Sequence, residues 1–152
     1  MFEAVTLIKV MEEERAVMSR LLGVILKERE GIVNCDPALL TECLKEKGKL
    51  KASLDDLEKK RATAADEKSL REIMPEADQE EQGKLVSLQL DLKVSAREAR
   101  ALSMANILLF KQSLSFMEQL WQGIWDSKGQ HYNESGEMAG SPLTGKLVSS
   151  SA

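Results

Sequence analysis

Ala4, Met11, Met18, Ile25 and Ile32 recur every seven residues, with Leu7 and Leu21 and then Val10, Val17 and Val24 widening the same face. A seven-residue apolar recurrence of this breadth suits an α-helix that lays one side against other helices, and it suits little else. Glu12, Glu13, Arg20 and Lys27 fall away from that side. The pattern predicts a first helix over residues 2–30, with Gly31 ending its regularity.

Prolines divide the rest. Pro37, Pro75 and Pro142 are the three in the chain, and each stands where a helical pattern stops or restarts. In Asn34-Cys35-Asp36-Pro37 the Asp36 carboxylate can accept amide hydrogens of a new first turn, and Pro37 suits its first position. A second helix is expected over 37–68, its stripe Leu40, Cys43, Lys47, Leu50, Leu54, Leu57, Arg61 and Ala64. Lys47 and Arg61 can keep their stems on the seam and their charges in water. So short a connection makes these helices antiparallel neighbours. Residues 69–78, with Pro75, read as a second turn.

A third helix is expected over 79–126, with the stripe Leu85, Leu88, Leu92, Ser95, Ala99, Leu102, Asn106, Leu109, Ser113, Phe116 and Leu120. Residues 127–152 hold four of the nine glycines and no apolar periodicity, and read as a mobile tail. The expected fold is all-α: an antiparallel up-down-up three-helix bundle or coiled coil with a long third helix and a flexible C-terminal tail.

Several functions are disfavoured. A net charge of −4 offers no general attraction to nucleic acid, and the lysines of 45–61 alternate with acids as on a solvated helix face. Two cysteines, Cys35 and Cys43, are too few for a disulfide scaffold and suggest a reducing compartment. The amino terminus lacks the basic start of a signal peptide, and no run approaches the ~18 apolar residues of a membrane span. A soluble cytoplasmic protein without membrane insertion is expected. His131, the one histidine, lies far in sequence from both cysteines, so no metal site is expected. Neither a glycine-rich phosphate loop nor the elements of a nucleophilic triad occur. No cofactor and no catalysis are expected.

The third helix is longer than its partners. At 1.5 Å per residue the first two span about 45 Å and the third about 70 Å, so that roughly 25 Å would project past the first turn, near Leu109. Five of the six aromatics, Phe110, Phe116, Trp121, Trp125 and Tyr132, fall within 110–132. Two adjacent stripes, Leu109-Phe116-Leu120-Ile124 and Phe110-Leu114-Met117-Trp121, cover about half the helix there. Three readings stay open on periodicity: packing against both other helices or folding back, self-association into a homo-oligomer, and a site for a dedicated partner. Asn106 can fix helix register, and Ser113 can bond the carbonyl one turn back or admit a close neighbour.

The stretch Asn106–Leu120, "NILLFKQSLSFMEQL", followed by "YNESG" at 132–136, resembles the carboxy-terminal signature of FlgN-type flagellar export chaperones. That signature has an Asn, apolar residues, a Ser-Leu pair and a Tyr-containing tail ending in Gly. Upstream, residues 7–50 are similar to the family's amino-terminal half. The resemblance implies a small cytoplasmic helical bundle that binds hook–filament junction proteins before secretion, keeps them unassembled and delivers them to the flagellar export gate. It implies that the client's C-terminal segment is held by the chaperone's own C-terminal region. On this chain the motif carries that site onto Asn106, Leu109, Ser113, Leu114, Phe116 and Leu120, and the apolar stripes add Phe110, Met117, Trp121 and Ile124. Tyr132 matches the tail tyrosine implicated in contact with the export gate, although this tail runs on through "SPLTGKLVSSSA". The alternative is a structural coiled coil that self-associates through the same apolar surface.

Overall fold

The computed structural model describes residues 3–128, 131–132 and 138–139. Helix α1 runs Ala4–Val33, α2 Pro37–Ala64, α3 Leu70–Ile73 and α4 Gln79–Lys128, with one 3-10 turn at Met74–Glu76. Two short strands, β1 (His131–Tyr132) and β2 (Met138–Ala139), pair antiparallel with His131 opposite Ala139. Among the described residues everything else regular is helix, as the periodicity predicts. Most of the expected tail, 127–152, and Phe2 lie outside the described residues.

The chain divides into two compact units, Met1–Phe110 and Lys111–Ala152. In the first, α1 outlasts its expected end because Gly31 is not a stop. It is buried inside the helix, and a Cβ there would meet Leu40 Cδ2 at 3.0 Å, so its bareness lets α2 begin close by. The helix closes three residues later through paired bonds, Cys35 N–H to the Ile32 carbonyl at 3.3 Å and Asp36 N–H to that of Gly31 at 2.9 Å. Cys35 takes the left-handed backbone (φ 51°) that glycine usually supplies. Asp36 then caps α2, its Oδ1 accepting from Leu39 N–H at 3.0 Å, with Pro37 in the first turn.

The second turn departs from the expectation. Helix α2 stops at Ala64, short of residue 68, by the same double bond: Asp66 N–H to Thr63 and Glu67 N–H to Ala62. Asp66 and Glu67 both hold φ above +50° (53° and 56°), so no glycine marks the end in the sequence. Residues 69–78 are not plain turn. Ser69 and Glu72 form a reciprocal cap that starts α3, and Asp78 with Glu81 does the same for α4.

Helix pairing follows from cross-contacts. Gly31 lies against Leu40, Glu28 pairs with Lys47 at 2.9 Å and Glu14 with Arg61 at 3.0 Å, so α1 and α2 run antiparallel. Arg15 meets Asp91 at 3.2 Å and Asn106 reaches Ile25, so this part of α4 runs alongside α1 in the same direction. Lys47 and Arg61 therefore do not simply hold their charges in water. Each meets a carboxylate of α1, which no reading of α2 alone could reveal.

Every residue of the expected α2 stripe is buried or half-buried. The core has two centres. Leu7, Met11, Ile73, Leu85 and Leu88 close one end of this unit, while Val24, Cys43 and Leu50 pack together further along. Glu14 is buried among α1's apolar residues with its charge met by Arg61.

Candidate partner-binding face

The expected stripe of α4 changes character along its length. Leu85, Leu88, Ala99 and Asn106 are buried, and Leu92, Ser95, Leu102, Leu109 and Ser113 are half-buried. From Phe116 onward every described side chain of α4 is exposed.

Asn106 belongs to the first unit's interior. It is 3% exposed, and its amide nitrogen donates to the Ile25 carbonyl at 2.9 Å and to Glu28 Oε2 at 3.0 Å. Lys47 holds the other oxygen of the same carboxylate at 2.9 Å. One layer thus joins α1, α2 and α4 through a carboxylate that accepts from both neighbours. A slip of α4 would strand a buried amide and half of a charge. Both amide hydrogens are used within the protomer, which gives Asn106 the register-setting role.

In the second unit, Leu114, Phe116, Met117, Leu120, Trp121, Ile124 and Trp125 share one side of α4. At 100° per residue they occupy about half its circumference, with Gln112, Ser115, Glu118, Gln119, Gln122 and Asp126 on the other half. Sorting this clean is what a helix needs when one side is to be covered. Yet Trp121 is 69% exposed, Trp125 68% and Phe116 61%, and the other four are exposed as well. Between Gln112 and Trp125 the one charge is Glu118. Phe110, which ends the first unit, is exposed too.

The model of the FlgN protein family matches residues 1–140. The chain belongs to the FlgN family. This is a family of flagellar export chaperones and not one known for catalysis. Neither a search of curated proteins nor one of solved structures returns a match.

On this FlgN chain the exposed apolar half-helix is the candidate interaction face. A contiguous apolar surface of this kind marks an interaction site, and tryptophans tend to anchor such contacts. Among the described residues no group of His, Cys, Asp and Glu could hold a metal ion, and no helix is long and apolar enough to cross a membrane. Trp125, which stands outside the residues named from the motif and the two stripes, is exposed beside Ile124. The signal was available, since Trp125 follows Trp121 by four residues and so lies on the same face. Tyr132 stands on β1, and its side chain lies outside the described residues.

Proposed function

We propose that this chain is a cytoplasmic chaperone that takes the C-terminal segments of hook–filament junction proteins onto the apolar face of α4 between Leu114 and Trp125. The client segment lies as an amphipathic helix along that face and presents anchors at helical spacing to Phe116, Leu120, Trp121 and Ile124. Covered in this way, a segment prone to assemble is kept from its own kind until it reaches the export gate. Leu109, Phe110, Ser113 and Met117 are proposed to contribute, while Asn106 acts through helix register.

The observation that carries this reading is the exposure of seven large apolar side chains on one half of a helix that bears a single charge over its last fourteen residues before Asp126. Burying such side chains fully is worth about 1.5–3 kcal/mol each, so a partner that covers them gains enough to offset the cost of association.

The test is calorimetry of the full chain against a full-length junction protein and against the same protein lacking its C-terminal segment. A stoichiometric complex with the first and none with the second is expected. Equal binding of both would remove the client from this face. The exposed side would also serve a second copy of the chain, so sedimentation over a range of concentrations runs alongside. A tight dimer that excludes the client would reassign the face to self-association.

A further inference from the structure

The first unit carries a second concavity that shares no residue with the face just described. Leu7, Met11, Glu14 and Met18 of α1 line one wall of a trough of about 700 Å³. Leu54, Glu58 and Arg61 of α2, with Ala65 just past its end, line another, with the same spacing of four, three and four. On α4 the wall is Leu92, Lys93, Ala96 and Arg100, with Gln89. Lys68, Leu70 and Ile73 also border it. Each stripe spans about three helical turns, roughly 16 Å.

Three helical stripes of matched length around one trough define the shape of a helix rather than a rounded small molecule. Met18, Leu54 and Leu92 are only half-buried there, so apolar surface is left to cover. Ala65 and Ala96 are small enough to admit a backbone closely. The charge is one-sided: Arg61, Lys68, Lys93 and Arg100 stand against Glu14 and Glu58, on a chain whose net charge is −4. Glu14 is already met by Arg61, and Lys68 by Glu76. Lys93 and Arg100 are exposed and form no ion pair among the described residues.

We infer that this trough is a second docking site, built for an acidic amphipathic helix of about three turns from a partner protein. Its apolar stripe lies on Met18, Leu54 and Leu92, and its carboxylates face Lys93 and Arg100. The inference does not rest on the client-binding role of residues 114–125.

The probe is a fluorescent synthetic peptide of about four turns with a leucine stripe flanked by glutamates, titrated into the full chain by anisotropy. A control peptide replaces each glutamate with lysine. Binding of the acidic peptide alone is expected. The Lys93→Glu/Arg100→Glu variant should weaken it by about tenfold or more and turn the preference toward the lysine peptide. Ala96→Trp, which fills the trough, should abolish binding, while Trp121→Ala should leave it unchanged. Circular dichroism checks that each variant keeps its helix content. Absence of binding, equal binding of the two peptides, or loss with Trp121→Ala would overturn the inference. So would a concentration-dependent dimer broken by Ala96→Trp, which would make a second copy the occupant.

Discussion

Asn106→Ala separates two roles that the sequence motif leaves merged, client contact and helix register. In the folded chain the Asn106 amide makes one bond to a backbone carbonyl and one to the Glu28 carboxylate. Bonds of these kinds contribute about 0.5–1.5 and 1.5–3 kcal/mol, so the substitution should cost about 2–4.5 kcal/mol. For a chain of this size that lowers the melting temperature by roughly 4–18 °C. Client affinity should stay within about threefold, because the side chain faces inward and is 3% exposed. The converse variant, Phe116→Ala with Leu120→Ala, removes side chains that are 61% and 51% exposed. About half of their 1.5–3 kcal/mol apiece remains for a client to gain, about 1.5–3 kcal/mol together, or about 10- to 150-fold in Kd. Its melting temperature should hardly move, since surface substitutions usually stay within about 0.5 kcal/mol. Thermal melts paired with calorimetry against a junction protein's C-terminal segment read both quantities. An Asn106→Ala chain that melts like the parent but loses tenfold in client affinity would refute the register argument.

Four further outcomes are expected. Emission from Trp121 and Trp125 should shift to the blue when the client segment binds, and an unmoved spectrum at saturation would place the contact elsewhere. Client affinity should change little between low and high salt, because the face carries no charged side chain and Glu118, the one charge between Gln112 and Trp125, lies on the other half of the helix; a steep salt dependence measured by anisotropy would contradict an apolar mode. Tyr132→Ala should lower secretion of the junction protein while leaving its affinity for the chaperone intact, and equal secretion would take Tyr132 out of the gate contact. Cys35 is exposed, whereas burial, with Glu28 and Glu42 nearby, pushes the Cys43 thiol above its ordinary value. Iodoacetamide at pH 8 should therefore give one adduct by mass spectrometry, at Cys35, and a second only in denaturant.

The helices were legible because their apolar spacing has one physical solution. Ala4, Met11, Ile25 and Ile32 are buried where the seven-residue recurrence puts them, and Met18 is half-buried. Their ends were less legible. The sequence signal for a left-handed helix stop is glycine, and here Cys35, Asp66 and Glu67 adopt that backbone without it. The reciprocal cap of Ser69 and Glu72 was readable in "SLRE", but Pro75 drew the whole segment into a turn. Cross-helix pairs are a harder case. That Glu14 is buried under Arg61, or that Glu28 collects both Lys47 and Asn106, depends on which residues face one another across helices. Periodicity along one helix holds no such information.

The same limit explains why Asn106 and Phe116 looked alike in the sequence. Both sit on one stripe of α4, and a stripe records only that a side chain faces some neighbour. Asn106 finds its neighbour in Glu28 and Ile25 of the same chain, while Phe116, Leu120 and Trp121 remain exposed. Burial thus divides one continuous pattern into a part that holds the first unit together and a part left exposed. The division coincides with a change in chemistry. Buried polar groups fix register where the neighbour is constant, as Asn106 does with Glu28. A face that carries no charge of its own relies on apolar area, which tolerates variation in the segment laid against it. A chaperone that must hold a client firmly and still release it needs both kinds of contact, kept on separate stretches of helix.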